Sequence, residues 1–182
     1  FFGPGRGTRR RCCSAAPQAI VALCEVAARQ VSCSIDKPVR RNQHGDAMKT
    51  KPMLTVTDVK TILDAAEQFA LSHNWAVTIA VADDGGHLLG LLRVDGAAPF
   101  TAQVAPAKAR VAAIGRRESK AFEEIINQGR YSFLSVPGMD GMLEGGVPIV
   151  MDQQVVGAVG VSGVKSSEDA EIARAGIAAL HS

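Results

Sequence analysis

A histidine and an arginine stand near the two ends of one apolar segment of the chain, within "VADDGGHLLGLLRVDGA", residues 81–97. The neutral imidazole of His87 is a good ligand for iron or zinc. The guanidinium group of Arg93 can bind a carboxylate through two parallel hydrogen bonds. In a strand that rises ~3.3 Å per residue, the two side chains stand about 20 Å apart. They cannot form one compact catalytic pair.

Each candidate side chain also has an ordinary structural explanation. The imidazole of His87 can bond a backbone group at a hairpin, and Arg93 can form an ion pair with Asp95 that anchors a turn. Lys108 and Glu144 are similar cases, since each is a single charge, in an alanine-rich helix and in a glycine-rich loop. The residues by themselves leave the structural and the ligand-binding explanations open.

The motifs do not support several common kinds of catalytic or binding site. No G-x-S-x-G elbow is present, and all four cysteines fall within the first 33 residues, so the rest of the chain offers no thiol nucleophile and no zinc knuckle. "GAVGVSG", residues 157–163, has the wrong spacing for a nucleotide loop and indicates close approach of another backbone to a strand. His73 is a weaker ligand candidate than His87.

The elements that must position these side chains follow from apolar periodicity. One helical face recurs over residues 57–72, and Thr55 with Asp58 resembles a capping box. Alternating residues predict a hairpin over residues 77–94, with the return strand running from His87 to Val94. On that strand, alternation places His87, Leu89, Leu91 and Arg93 on one face and Leu88, Gly90, Leu92 and Val94 on the other.

The second half of the chain is predicted to hold further helices and a second hairpin. An alanine-rich helix is expected to begin at Thr101, which caps it, and Pro106 should restrict its first turns. A short helix that buries Phe122 is expected to follow. After a glycine-rich loop over residues 130–146, a second hairpin turns at residues 152–154, and a last helix begins at Ser166 or Ser167. Two hairpins flanked by helices predict an α+β fold with an antiparallel sheet.

Composition divides the chain near Met48. Residues 1–47 carry eight Lys/Arg and three Asp/Glu, a net charge of +5, whereas residues 48–182 carry 12 and 15, a net charge of −3. An acidic body with 4% aromatic residues argues against nucleic acid as a partner. No run approaches the ~20 apolar residues that cross a membrane. A body without cysteine fits a cytoplasmic location.

The basic segment over residues 1–47 is predicted to be a leader outside the fold, and residues 48–182 a single domain. Three origins remain open for the leader: a transit peptide, a regulatory arm, or translated upstream sequence. Regular apolar periodicity begins only after Met48, so the leader is expected to be disordered or non-native.

Together the segments of the body resemble the GlcG/HbpS family, also called the haem-degrading or DUF336 family and related to the PduO C-terminal domain. The resemblance runs from about Leu54 to Leu180. It rests on four segments in order: "VTIAVADDGGHLLGLLRVDGA", "AKARVAA", "EGGVPIVMDQQVVGAVGVSG" and "EDAEIARAGIAAL". Val94 departs from it, because the family commonly has methionine there.

The resemblance implies a profilin-like α/β/α arrangement and assembly into homo-oligomers, from dimers to octamers. It also implies that the chain binds haem or a related tetrapyrrole, with His87 as the metal ligand and with Arg93, Lys108 and Glu144 as further cofactor-binding residues. The alternatives it leaves are an accessory enzyme or small-organic-acid binder of glycolate or aromatic catabolism, and a structural oligomer whose site is vestigial. No catalytic set is recognisable, so an enzymatic activity stays open.

Overall fold

A computed structural model describes residues 50–181, and the predicted leader over residues 1–47 lies outside the described residues. The helices and strands are α1 Val56–Ser72, β1 Thr78–Asp83, β2 Leu88–Arg93, α2 Thr101–Gly115, α3 Lys120–Asn127, β3 Gly146–Met151, β4 Gln154–Ser162 and α4 Ser166–Ala178. This order confirms the predicted α+β class. Two short 3₁₀ helices, Tyr131–Ser135 and Ala179–His181, complete it, so the segment predicted as a plain loop over residues 130–146 is partly helical.

The four strands form one antiparallel sheet in the order β2-β1-β4-β3. The second hairpin turns at Asp152 and Gln153, whose φ angles of 49° and 60° give the two-residue turn that suits antiparallel strands. Strands β2 and β3 are the edges of the sheet. Pro148 lies within β3, where proline is tolerated because an edge strand has one side that needs no N–H donor.

Helices α1 and α4 cover one face of the sheet. The predicted capping box is confirmed, since the Thr55 side chain accepts from the Asp58 N–H and Asp58 accepts from the Thr55 N–H. The alternating residues of the first strand, Val77, Ile79 and Val81, lie in the core against these helices, as predicted. The largest fully buried side chains, the isoleucines at 62, 79, 149 and 172, lie in this layer.

Helix α2 covers the opposite face, with small residues on both sides of the contact. A Cβ at Gly160 would lie 2.2 Å from the carbonyl oxygen of Ala105, so the helix backbone rests directly on β4. This confirms that the glycines of residues 157–163 serve close packing. Thr101 was expected to cap α2 but is its first residue. Its side chain is fully buried, and its hydroxyl oxygen lies 2.7 Å from the hydroxyl oxygen of Thr78. Pro106 lies inside the helix and does not end it.

Strand β2 departs from the predicted alternation at its start. The strand begins at Leu88, so His87 belongs to the turn before it and not to the strand. A bulge lies opposite the step from Val81 to Ala82, and it pairs Gly90 with Val81 but Leu88 with Ala82. The extra residue, Leu89, shifts Leu88 to the face covered by α2. None of the described helices is long and apolar enough to cross a lipid bilayer.

Candidate functional site

The turn between β1 and β2 is organised by the carboxylate of Asp83. Its Oδ1 accepts the backbone N–H groups of Gly85 at 2.9 Å and His87 at 2.8 Å. The imidazole Nδ1 of His87 lies 3.2 Å from each carboxylate oxygen. Gly86, with φ of 78°, supplies the left-handed conformation that lets the chain return so tightly. One carboxylate therefore shapes the turn and holds the imidazole ring.

These contacts leave the second ring nitrogen of His87 available. The side chain is 76% exposed, and its Nε2 has no hydrogen-bond partner within residues 50–181. Partial burial raises the pKa of Asp83, but the hydrogen bonds and the charge of His87, with the N–H of Gly85, outweigh it and hold the pKa below its ordinary value. A carboxylate on one ring nitrogen is the usual arrangement of a metal-binding histidine, because it fixes the ring and makes the other nitrogen more basic.

A cavity of about 370 Å³ opens beside this ring, between the start of β2 and helix α2. Its walls are formed by Ala82, Gly86, His87, Leu88, Pro106, Ala107 and Arg110. Most of this lining is apolar, with one imidazole and one guanidinium group. Arg110 is held in place because its Nε donates to the carbonyl of Gly138 at 2.9 Å. Such a cavity suits one face of a flat apolar ligand that carries a metal and an acid group.

Arg93 lies at the other end of β2. Its Nε and Nη2 donate to the carbonyl oxygen of Ala97 at 3.0 and 2.6 Å, which anchors the following turn. The ion pair with Asp95 considered from the sequence is not among the salt bridges of residues 50–181; a backbone carbonyl is the partner instead. Within one chain, therefore, Arg93 and His87 do not share a site.

Lys108 is buried, only 3% exposed, inside the α/β/α layers. Its Nζ donates to Oδ2 of Asp169 at 2.8 Å, and Oδ1 of Asp169 accepts the N–H of Val164 at 3.2 Å. Burial raises the pKa of Asp169, and the hydrogen bond and charge of Lys108 offset this only in part. The pair ties α2 to the first turn of α4. A contact between Lys108 and a ligand stays a prediction, and it would require this pair to open.

Glu144 lies in the glycine-rich loop, beside α3. Its Oε1 accepts from Nζ of Lys120 at 3.1 Å, and its backbone N–H donates to Glu123 at 2.6 Å. The hydrogen bond with Glu144 raises the pKa of Lys120. A second cavity of about 350 Å³ lies near this loop, with Glu123 in its wall. Glu144 is not among the residues that line the cavity beside His87, so the geometry does not bring the four predicted site residues together.

Two residues of the candidate site, Asp83 and Arg110, were not predicted from the sequence. Asp83 had a usable signal, because an aspartate four residues before a histidine across a glycine turn can reach both the turn and the ring. Arg110 had none, since only the packing of α2 against the hairpin brings it to the cavity. No group of three or more His, Cys, Asp or Glu side chains that could hold a metal ion occurs within residues 50–181.

Comparisons with known proteins agree with one another. Residues 54–178 match the family model described as haem-degrading protein HbpS-like. Protein GlcG of Escherichia coli strain K12 is 52% identical over 115 residues, which is 63% of this chain and 85% of that protein. A double mutant of HbpS from Streptomyces reticuli superposes with a TM-score of 0.68 at 28% identity, covering 79% of this chain and 96% of that one. A haem complex of PduOC shares the fold, with a TM-score of 0.65 at 24% identity over 70% of this chain and 95% of that one.

Proposed function

This chain belongs to the family of haem-degrading HbpS-like proteins, and from that premise we propose that it is a homo-oligomeric haem- or tetrapyrrole-binding protein with His87 as the metal ligand. The observation that carries the proposal is the His87 ring itself. Asp83 holds Nδ1, and Nε2 has no partner among the described residues 50–181 and lies beside a largely apolar cavity. Bound haem would supply a redox-active iron at this position.

The described residues fit such a group in three respects. The His87 ring is oriented by a carboxylate, as metal-binding imidazoles are. Ala82, Leu88, Pro106 and Ala107 offer an apolar wall for the macrocycle. Arg110 stands at the same cavity and is the cation that this geometry offers to a propionate, while Lys108 is engaged with Asp169.

The test is a haemin titration of the full chain followed by visible absorbance. We expect saturable binding with a shifted Soret band, and a loss of affinity of at least about tenfold in His87→Ala. His73→Ala is the matched control, because His73 also has one ring nitrogen bonded, to the carbonyl of Phe69 at 2.9 Å, but lies at the end of α1. An unchanged affinity and Soret band in His87→Ala would remove His87 as the ligand.

A different outcome would favour the alternative from the sequence, an accessory enzyme or small-organic-acid binder of a catabolic operon. If haemin binds the wild-type chain without saturation, small carboxylic acids become the ligands to test, with Arg110→Ala as the variant. Arg110 is preferred for this test because Arg93 already donates to a backbone carbonyl through two nitrogens.

We also propose that residues 48–182 carry the whole activity and that the protein works in the cytoplasm. The family match begins at residue 54, after the break in composition near Met48. Deletion of residues 1–47 should leave the unfolding transition, the assembly size and the haemin affinity unchanged. Loss of solubility or of the oligomer on deletion, measured by light scattering, would contradict a domain boundary at this place.

A further inference from the structure

Two adjacent glycines lie against the two polar side chains that line the cavity at the start of β2. A Cβ added at Gly85 would lie 2.9 Å from both Cε1 and Nδ1 of the His87 ring. A Cβ added at Gly86 would lie 2.8 Å from Cγ of Arg110. Because non-bonded carbon atoms pack at about 3.5–4.0 Å, a larger residue at either position would displace one of these side chains. The imidazole ring and the arginine stem therefore each occupy space that a glycine leaves open.

The backbone of Gly85 does not explain why this residue is a glycine. Its φ is not among the positive values of the turn, which Gly86 supplies, so the chain path at position 85 is open to other residues. The N–H of Gly85 donates to Oδ1 of Asp83, and Nδ1 of His87 lies 3.2 Å from the same oxygen. The missing side chain therefore gives the ring its room beside the carboxylate.

The guanidinium group of Arg110 is held at one nitrogen and open at the other two. Its Nε donates to the carbonyl of Gly138, while Nη1 and Nη2 have no partner and the group makes no ion pair within residues 50–181. Two neighbouring N–H donors of a guanidinium can bind one carboxylate through parallel hydrogen bonds. Because the stem lies on Gly86 and Nε is bonded, the open end is oriented before a ligand binds, which lowers the entropy lost on binding.

We propose that the two glycines are positioning residues of the candidate site, which seat the His87 ring and the Arg110 stem on one turn so that both act on a single ligand. The two side chains line the same cavity of about 370 Å³, and the residues that seat them are consecutive in the chain. A ligand that uses both groups carries a metal and a free carboxylate. This joint recognition rests on the proposed haem function, whereas the seating of the side chains does not.

The first experiment measures the seating of the ring in the ligand-free full chain. Partial burial raises the pKa of the Asp83 carboxyl, and its contacts with His87 and Gly85 lower it by more. Gly85→Ala keeps the backbone N–H but displaces the ring, so we expect the pKa of Asp83 to rise toward 3.8, followed by carbon-13 NMR of the carboxyl group.

Two controls belong to this titration. In Gly129→Ala the added Cβ meets no atom within 4 Å, so the pKa of Asp83 should stay at its wild-type value. In a His87→Ala background, Gly85→Ala should cause no further rise, because no ring is left to displace. An unchanged pKa of Asp83 in Gly85→Ala, or an equal rise with and without the ring, would overturn the seating of His87.

The second experiment measures the seating of Arg110 by urea unfolding of the same ligand-free chain. Gly86→Ala and Gly129→Ala both place a Cβ on a residue with positive φ, 78° and 95°, but only the Cβ at position 86 meets a side chain. We expect a larger fall in the unfolding midpoint for Gly86→Ala. Adding Arg110→Ala should recover part of that fall, because the stem no longer meets the Cβ. An equal fall with and without the stem would overturn the seating of Arg110.

The third experiment tests joint recognition with haemin, haemin dimethyl ester and metal-free protoporphyrin. The wild-type chain should bind haemin about tenfold more tightly than either of the others, since the ester lacks the free carboxylates and the free base lacks the metal. Gly85→Ala should lose the preference for the metal and keep that for the free acid, and Gly86→Ala should show the reverse. A variant that keeps both preferences, or loses both together, would overturn its separate role.

The three experiments separate this inference from the proposed function. If the wild-type chain does not bind haemin, the proposed function and the joint recognition both fall, while the Asp83 titration and the unfolding comparison still decide the seating. If the wild type binds haemin through His87 but binds the dimethyl ester equally well, the proposed function stands and the joint recognition is overturned.

Discussion

Two of the ion pairs within residues 50–181 join a basic side chain to an aspartate in opposite surroundings, one buried and one exposed to solvent. Lys108 and Asp169 are sealed between α2 and α4, whereas His87 and Asp83 lie on a tight turn with the ring largely exposed. The buried pair uses its polar atoms on each other and on the backbone. The exposed pair leaves a ring nitrogen available beside a cavity. From this comparison we expect the buried pair to support the fold, and we propose that the exposed pair meets a ligand.

The strongest way to break this comparison is to remove one member of the buried pair. Lys108→Met leaves the carboxylate of Asp169 without its cation in the interior, and we expect a loss of about 3–5 kcal/mol in the free energy of unfolding, measured with urea. The double variant Lys108→Met/Asp169→Leu should recover most of that loss, because no charge remains buried. If haemin affinity of the folded single variant also fell, Lys108 would belong to the site after all.

At the exposed pair we expect a smaller effect, and on haemin affinity instead of stability. Asp83→Asn keeps an oxygen for the N–H groups of Gly85 and His87 but removes the charge beside the ring. We expect haemin affinity to fall by about 10- to 100-fold, as for other partners of metal-binding histidines. The unfolding free energy should change by less than about 0.5 kcal/mol at neutral pH, as is usual for a surface substitution. A large loss of stability with unchanged affinity would reverse the comparison.

The smallest expected effect is a change in the pH dependence of the unfolding free energy under acidic conditions. The pKa of Asp83 is lowered in the fold, so its stabilising contribution is present above the ordinary pKa of 3.8 and is lost as the pH falls through the folded value. The pKa of Asp169 is raised, so its contribution has the opposite sign: it is present below 3.8 and lost as the pH rises through the folded value. Urea unfolding at a series of pH values should show a weaker loss of stability below pH ~4 in Asp83→Asn than in the wild type. Parallel curves would contradict the assigned direction.

The sequence predicted most of the fold because its signals are local. The Thr55 cap, the turn at Asp152 and the two hairpins depend on neighbours within a few residues, and the structure confirms them. The glycines at 157 and 160 were also understood, since a glycine in a central strand indicates a backbone that comes close.

Long-range contacts were harder to predict because their residues meet only through packing. Lys108 and Asp169 are 61 positions apart in the sequence, and the residues around each give no local signal of their contact. The bulge at Leu89 also has no clear local signal, and it shortened the predicted strand and moved His87 into the turn. The role of His87 as a ligand stays a prediction, and the partner of its ring is a carboxylate and not the backbone group considered from the sequence.

Pro148 has a consequence for how large a sheet of this kind can become. If one edge of a sheet pairs with a second copy and the opposite edge cannot bond another strand, assembly stops at a pair. If both edges were open, each added chain would expose a new edge and the sheet could lengthen into a fibre. Pro148 therefore hinders the addition of a further strand at the β3 edge of the sheet.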